Sequence, residues 1–339
     1  MKYFVLKNFN PSEYPEYYPI EVNRMDENYF QISLCRKHFD TDYYKILEKL
    51  SKILKENHRS VVDFQVEYFG EKGRDFGALK NDFIINLLET ISRNWNLQDV
   101  MTDQDIDHFE QLGGLLRFVL NSSGELVVGD IFSLAFFEAL LKINESEKLL
   151  NVDLISQERI LQISSSFLNT YQLDFVQKIN EGNSSSDSIV MFEDAILKPS
   201  RSRVRNLQRV LMGLGYDHHE WKSFQEKGAK NLYISIVGEF DFFRFLECIK
   251  FNNVDEVHCK VILDWLRSLT EYKARRFLRF VTSIPKIPLE KIQVWGNRGK
   301  VCFQSCFKNI TLTKEIENQV LVNYLEYTIA EDNDEFLKR

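Results

Sequence analysis

The sequence predicts an α+β fold in two lobes, a mostly helical N-terminal lobe and a smaller α/β C-terminal lobe. Short segments that alternate apolar and polar residues predict strands, and longer segments with apolar residues every three or four positions predict helices. The chain has 339 residues with 6 prolines and 14 glycines, so few helix breakers interrupt it. This composition favours long helices, and the length suffices for two or three compact units with a substantial buried core.

Composition and charge exclude several classes of protein. A net charge of −7 argues against a nucleic-acid-binding protein, whose footprint would be a basic face. No apolar run approaches the ~20 residues needed to span a bilayer, and residues 1–7 lack the features of a signal peptide. The 5 cysteines are odd in number and form no disulfide framework. We therefore expect a cytoplasmic or nuclear protein that binds neither membrane nor nucleic acid.

The first elements are an extended leader, a strand and a helix. Residues 1–29 carry prolines with tyrosines between them, which indicates an extended segment. Tyr29–Leu34 alternates apolar and polar residues and predicts a strand. Tyr43–Leu54 places its apolar residues at helical spacing, so we expect a helix with one buried face.

A strand, a glycine-rich turn and a helix are predicted between residues 61 and 91. Val61–Phe69 alternates as a half-buried strand does. Residues 70–77 are rich in glycine, which permits the positive backbone angles of a tight turn. Ala78–Ile91 then repeats apolar residues every four positions, which predicts a helix.

Further along the chain the pattern is helical at first and then less regular. Phe109–Val119 and Ile131–Leu141 are apolar helices, and the paired glycines of the former would allow close contact with another helix. Residues 151–200 show little periodicity and include a polar loop. Residues 201–214 form an amphipathic helix with a basic face, which is either solvated or a patch for an acidic partner.

The last part of the chain forms the separate, smaller lobe. Residues 250–256 are a short polar connector, and Val261–Thr270 is the first helix of the lobe. Thr270–Thr282 is the second helix, for which Thr270 is the expected N-cap. Its apolar residues, with the spacing of a buried face, are Phe277, Leu278 and Val281.

Three segments, in this order along the chain, resemble the catalytic domain of HECT-type ubiquitin-protein ligases. The first shares seven positions with the family, namely Phe69, Gly70, Glu71, Gly73, Asp75, Gly77 and Phe83. The second is Thr270–Thr282, which resembles the family's Phe-Leu-x-Phe-Val-Thr helix and is the sharpest match. The third is Cys306 with Phe307, followed by Ile310 and Leu312 at the spacing of a short strand. This third segment resembles the one that carries the family's catalytic cysteine.

The resemblance implies a bilobal HECT-like arrangement. Residues 30–249 would form the N-terminal lobe and residues 257–339 the C-terminal lobe, joined by a hinge at 250–256 that absorbs lobe rotation. Residues 150–200 would be a shortened version of the region that docks a ubiquitin-conjugating enzyme in the family. The implied partners are ubiquitin, a conjugating enzyme and a protein substrate, with no cofactor.

The resemblance also implies the roles of three residues. Cys306 is the nucleophile that accepts ubiquitin as a thioester and passes it to a substrate lysine. Phe336 occupies the position, fourth from the end, of a phenylalanine that docks between the lobes in the family. Among the acidic residues of the tail, Asp334 is a candidate to orient and deprotonate the substrate lysine. Lys300 and Lys308 are candidate sources of positive potential for the thiolate.

Departures from the family pattern leave a second hypothesis open. Gln304 stands where the family has histidine, Lys308 where it has asparagine, and Thr313 where it has proline. Ser283, after the second matching segment, replaces a frequent glycine. Together with the short docking region, these departures favour a HECT-fold protein with weakened activity that acts as a binding scaffold or adaptor. An unrelated α+β protein is the third hypothesis.

The other cysteines are expected to be structural. Cys35, Cys248 and Cys259 lie outside the matching segments, and an isolated intracellular cysteine is usually a small core residue. Cys302, four positions before Cys306, suggests a metal pair. Structural zinc needs four clustered ligands, which this region does not offer, so we expect no metal site.

Overall fold

The structure is a computed structural model that describes residues 19–26, 29–56, 63–69, 78–97, 100, 106–122, 126–129, 131–182, 185–297, 301–304, 308–313 and 316–330. In these ranges helices predominate, and the strands form two small mixed sheets. The α+β class predicted from the sequence is confirmed.

The elements of the described ranges are as follows. The strands are β1 (Glu21–Asp26), β2 (Tyr29–Leu34), β3 (Asp63–Tyr68), β4 (Ile249–Asn252), β5 (Ile292–Asn297), β6 (Cys302–Gln304) and β7 (Asn309–Thr313). The first helices are α1 (His38–Thr41), α2 (Tyr43–Glu56), α3 (Ala78–Trp95), α4 (Ile106–Asn121), α5 (Leu134–Lys142), α6 (Glu145–Lys148), α7 (Gln157–Ser164) and α8 (Thr170–Asn180). The later helices are α9 (Ser186–Phe192), α10 (Lys198–Leu214), α11 (His218–Lys227), α12 (Ala229–Val237), α13 (Phe242–Glu247), α14 (Glu256–Ser268), α15 (Glu271–Thr282) and α16 (Asn318–Ile329). Short 3₁₀ turns lie at Val152–Leu154 and Ser165–Phe167.

The first sheet has the order β1-β2-β3, with β1 antiparallel and β3 parallel to β2. The strands predicted at 29–34 and 61–69 are confirmed as β2 and β3, within the described residues. Alternate side chains of both strands are buried, namely Phe30, Ile32, Leu34, Phe64, Val66 and Tyr68. On the opposite face Gln31 donates a hydrogen bond to Glu67 at 2.6 Å. The sheet therefore contributes one apolar face to the first core.

The helices predicted at 43–54, 78–91 and 109–119 are confirmed as α2, α3 and α4. The helix predicted from Ile131 begins later, at Leu134. Its start is set by Ser133, whose hydroxyl accepts a hydrogen bond from the backbone N–H of Phe136 at 3.2 Å. The predicted glycine-rich turn at 70–77 lies outside the described residues.

Residues 151–200, whose sequence shows little periodicity, are more regular in the structure than this pattern indicated. They contain α7, α8 and α9, and α9 continues through a π-helical turn at Glu193–Leu197 into α10. Such short helices are marginal alone, and tertiary packing stabilises them. Here they bury apolar side chains in the first core, namely Ile160, Leu161, Ile163, Phe192, Ile196 and Leu197.

The second sheet has the order β4-β5-β7-β6, with β4, β5 and β7 parallel and β6 antiparallel to β7. The second core includes buried side chains from this sheet and from α14, α15 and α16. The helix predicted at 270–282 is confirmed as α15. The Thr270 hydroxyl accepts a hydrogen bond from the backbone N–H of Lys273 at 3.4 Å. Phe277, Leu278 and Val281 are buried, as their spacing predicted.

Two separate clusters of buried apolar side chains divide the described chain. The first runs from Ile20 to Val237 and the second from Phe245 to Ile329. The chain thus passes between the cores ahead of the predicted connector at 250–256. The beginning of that segment belongs instead to β4, which pairs with β5. The difference arises because Phe251 packs against the second core, which makes the strand part of it.

The predicted leader at 1–29 also differs where it is described. Glu21–Asp26 forms β1, which pairs with β2 and so belongs to the first sheet. Ile20 is buried, and its carbonyl oxygen accepts a hydrogen bond from Lys49 Nζ at 2.8 Å. Residues 21–26 form a strand because they pair with β2, and this contact is not visible in their own sequence.

Candidate functional site

Strands β6 and β7, which flank Cys306 in sequence, pair with each other in the second sheet. Gln304, the last residue of β6, is opposite Asn309, the first residue of β7, and Cys306 lies between them in sequence. Cys306 itself lies outside the described residues, as do Phe336 and Asp334. The structure therefore gives no contact for any of the three predicted site residues.

The described surroundings of this segment are well packed. The alternation after Cys306 predicted a strand, which is confirmed as β7, with Ile310 and Leu312 buried. On β6 the ring of Phe303 meets that of Phe280 from α15 edge to face, with centroids 5.2 Å apart. The strands on either side of the predicted nucleophile are thus anchored on the second core.

Charges beside the segment are partly compensated. Lys308 has a positive φ of 52°, and its Nζ lies 3.0 Å from a carboxylate oxygen of Glu290. Of the two lysines predicted to raise the local potential, Lys308 is therefore paired, and Lys300 lies outside the described residues. No sequence pattern links Glu290 to Lys308, because only the fold brings the two residues together.

The four described cysteines all have thiols that are hard to ionise. Burial raises the pKa of Cys248 to about 12, and its Sγ donates to the carbonyl oxygen of Phe245 at 3.0 Å. Burial also raises the pKa of Cys35, Cys259 and Cys302 above the ordinary value. A reactive thiol requires the opposite shift, so these four environments suit structural cysteines.

His258, next to Cys259, contacts two residues of the part of the chain that forms the second core. Its Nδ1 pairs with the carboxylate of Asp255, and its Nε2 donates to the carbonyl oxygen of Ile316 at 2.8 Å. Both ring nitrogens are therefore occupied, and the contact ties the start of α14 to the residues before α16. Among the described residues no group of three or more His, Cys, Asp or Glu side chains is placed to hold a metal ion.

Two arginines of α15, which the sequence did not single out, connect the two cores. Arg275 is buried and donates to the carbonyl oxygens of Val237 at 3.2 Å, Gly238 at 3.0 Å and Pro285 at 3.1 Å. Its guanidinium also lies over the ring of Phe240, 5.3 Å from the centroid. Arg275 thus fixes the segment in which the chain leaves the first core.

Arg279, one turn further along α15, contacts three polar residues of α3. Its Nη1 donates to Glu89 Oε1 at 2.5 Å, and its Nη2 donates to Asn86 Oδ1 at 2.6 Å. The same Nη2 lies 3.4 Å from Asp82 Oδ1, while Arg36 pairs with the other oxygen of Asp82 at 2.6 Å. No pattern in the sequence indicates this cluster, because Arg279 and its partners on α3 are far apart along the chain.

The basic residues of α10 are mostly engaged within the molecule. Arg203 is buried and lies over the ring of Phe167, 4.3 Å from the centroid. Arg201 pairs with Glu193 at 2.7 Å, and Arg209 lies 3.8 Å from Glu110. The predicted amphipathic helix is confirmed, but its basic face is not simply solvated.

Comparison with known proteins adds no assignment. No protein-family model and no curated protein matches the chain. Among the described helices, none is both long enough and apolar enough to cross a membrane.

Proposed function

We propose that the chain is a HECT-type ubiquitin-protein transferase, which accepts ubiquitin from a conjugating enzyme as a thioester on Cys306 and passes it to substrate lysines. The observation that carries the proposal is the placement of the three matching segments. The first runs from β3 towards α3, the second coincides with α15, and the third leads into β7. We further propose that the two cores correspond to the two lobes of a HECT-like arrangement.

One departure from the family pattern has a structural counterpart that supports the proposal. Ser283 follows α15 at a position where the family often has glycine. Its φ is 66°, in the left-handed region, and its backbone N–H bonds to the carbonyl oxygen of Arg279 at 2.8 Å. Glycine adopts this conformation without strain, so a glycine requirement at this position has a physical reason.

The first chemical step is an exchange between two thioesters. The Cys306 thiolate attacks the carbonyl carbon of ubiquitin's C-terminal thioester, and the thiolate of the conjugating enzyme leaves. One carbon–sulfur bond forms while another breaks, so the step is nearly balanced and needs modest activation of the nucleophile. Gln304 in place of histidine is compatible with such a step, since positioning supplies much of the rate.

The second step transfers ubiquitin to nitrogen. A substrate lysine gives its proton to a base and then, as a neutral amine, attacks the carbonyl carbon of the Cys306 thioester. The carbon–nitrogen bond of an amide forms, the carbon–sulfur bond breaks, and the Cys306 thiolate leaves. Asp334 is the proposed acceptor and orienting carboxylate. Phe336 is proposed to dock between the lobes and hold the transfer geometry.

The scaffold or adaptor role is the second candidate. It is favoured by the replacement of the family histidine with Gln304 and by the ion pair of Lys308 with Glu290, which reduces the positive charge available to a thiolate. The two functions differ in one respect that can be measured, namely whether Cys306 forms an adduct with ubiquitin.

The test is incubation with activating enzyme, a panel of conjugating enzymes and ubiquitin, followed by electrophoresis with and without reductant. The proposal requires an adduct that reductant removes and that is absent in Cys306→Ala. Cys306→Ser should give an adduct that resists reductant, because an ester replaces the thioester.

Cys302→Ala is the matched control, since Cys302 lies on β6 four residues away and its pKa is raised by burial. This variant should form the adduct as the unaltered protein does. If no conjugating enzyme yields an adduct with the unaltered protein, the transferase proposal is refuted and the scaffold role is favoured.

A further inference from the structure

The contact between α3 and α15 is polar, whereas each core is apolar. Among the described residues, the buried apolar side chains form two clusters that do not merge. What α15 presents to α3 is the guanidinium of Arg279, and what α3 presents are Asp82, Asn86 and Glu89. Their spacing of four and three positions places them on one face of α3. Salt weakens ion pairs whose members are partly exposed, although less than it weakens fully exposed pairs.

The charges of this cluster reinforce one another in the closed arrangement. Burial by itself raises the pKa of Asp82, but the charges of Arg36 and Arg279 lower it below its ordinary value. Burial by itself lowers the pKa of Arg279, but the charges of Glu89 and Asp82 raise it above its ordinary value. The side chains of Arg279 and Asp82 are about a fifth and a quarter exposed, so the pairs are partly shielded from water.

Opening this contact leaves no isolated buried charge behind. Asp82 keeps its shorter ion pair with Arg36, which belongs to the same unit as α3. The Glu89 side chain is already 41% exposed, and its carboxylate would be hydrated. Arg279 would exchange the α3 side chains for water. The usual penalty for breaking a buried pair, which comes from the orphaned partner, is therefore small here.

The chain crosses between the cores at a glycine with unusual backbone angles. Gly238 has a φ of 85°, a region that favours glycine, and ends α12. Arg275 holds the carbonyl oxygens of Val237 and Gly238, so this end of α15 stays attached to the crossing segment. Arg279 lies one turn further from the attachment. Rotation at Gly238 would move Arg279 away from α3. Arg275 would then give up its bond to the Val237 carbonyl oxygen and keep those to the carbonyl oxygens of Gly238 and Pro285.

We propose that Arg279 and the polar face of α3 formed by Asp82, Asn86 and Glu89 are a salt-sensitive latch, which holds the second core closed on the first and releases it by rotation at Gly238. The latch sets the balance between a closed and an open arrangement of two units that both stay folded. The latch does not depend on whether Cys306 accepts ubiquitin.

The test is a distance measurement between the two units by single-molecule fluorescence transfer. Dyes are attached through non-natural amino acids at Lys222 on α11 and Lys260 on α14, both of which are exposed. At about 50 mM salt we expect one narrow distance distribution. At about 1 M salt a second, open population should appear in the unaltered protein, since the ion pairs are screened.

Arg279→Gln should increase the open fraction about tenfold at low salt. A tenfold change corresponds to a loss of roughly 1.4 kcal/mol in the free energy that favours the closed arrangement. Arg267→Gln is the matched control, because Arg267 pairs with Asp264 on its own helix and does not reach α3. Glu89→Gln is a second, more exposed substitution that should act in the same direction. Circular dichroism checks that each variant is folded.

One narrow distribution, unchanged in Arg279→Gln, in Glu89→Gln and at high salt, would overturn the latch. So would an equal opening in Arg267→Gln, since the effect would then follow net charge rather than the contact. An open population that appears in the unaltered protein with salt, and in the two latch variants without it, supports the proposal.

Discussion

Gly113 on α4 and Gly213 on α10 lie against each other with no room for a side chain on either. A Cβ atom on Gly113 would lie 2.1 Å from the carbonyl oxygen of Val210, and one on Gly213 would lie 1.8 Å from that of Glu110. The glycine pair in α4 predicted a close helix contact, and the structure shows that Gly213 is its counterpart.

Gly213→Ala should destabilise the first core by about 3 kcal/mol, because an added methyl group forces two helix backbones apart. Urea unfolding measures the change in the free energy of unfolding. Gly114→Ala is the matched control, since its Cβ would lie 3.9 Å from the carbonyl oxygen of Gly213. Alanine also favours helix by about 1 kcal/mol, so this control should be at least as stable as the parent. Equal stability of the two variants would contradict the close crossing.

Arg275→Met should cost about 3 kcal/mol of stability, because three backbone carbonyl oxygens and the Glu271 carboxylate lose their donor. Methionine keeps most of the side-chain volume, so packing changes little. Arg267→Met, at an exposed position on α14, is the control and should stay within about 0.5 kcal/mol of the parent. Thermal unfolding of both variants compares the two sites. If Arg275→Met loses no more stability than Arg267→Met, the bonds from Arg275 to the backbone carbonyl oxygens do not stabilise the protein.

The Asp255 carboxylate should contribute stability that disappears in acid. The backbone N–H of His258 donates to it at 2.9 Å and, with the His258 side chain, lowers the pKa of Asp255. A lowered pKa in the folded state means that this contribution is complete above the unfolded pKa of about 3.9 and is lost as the pH falls through the folded value.

Asp255→Asn should therefore be less stable than the parent at neutral pH, with a difference that shrinks below about pH 4. Urea titrations over this range give the difference at each pH. Asp264→Asn removes an exposed carboxylate from the same helix and serves as the control for net charge. A difference for Asp255→Asn that stays constant into acid would show that the ionised carboxylate is not what stabilises the start of α14.

Cys248 should resist alkylation in the folded protein. Its pKa of about 12 leaves almost no thiolate near neutral pH, and its side chain is buried. Treatment with iodoacetamide followed by peptide mass spectrometry reports the modified fraction at each cysteine. In urea the same residue should react fully. Rapid labelling of Cys248 in the folded state would contradict its placement in the second core.

Removing the Phe336 side chain tests the proposed docking of the tail. Phe336→Ala should form the Cys306 thioester at the parent rate but discharge it to lysine about tenfold more slowly, since a loss of roughly 1.4 kcal/mol in the transition state has this effect. Leu337→Ala is the matched control, because it truncates a neighbouring apolar side chain. Equal discharge rates for Phe336→Ala and the parent would exclude the docking role.

Local patterns along the chain predicted most of the secondary structure. Strand β2 and helix α15 follow from the alternation and the helical spacing of their own residues, and Thr270 caps α15 as expected. These features need no information from elsewhere in the chain, because the period of the apolar residues reflects the geometry of the element itself. The helices within 151–200 escaped prediction because their individual signals are short.

The sequence by itself determined the α+β class, the main helices and the three segments on which the proposed activity of Cys306 depends. The tertiary structure alone decided where the cores divide and what joins them. Arg275 and Arg279 look like ordinary solvated residues of an amphipathic helix, and their partners at Val237 and Glu89 lie in other elements. Such contacts depend on three-dimensional distance and desolvation, which the spacing of residues along one helix does not record.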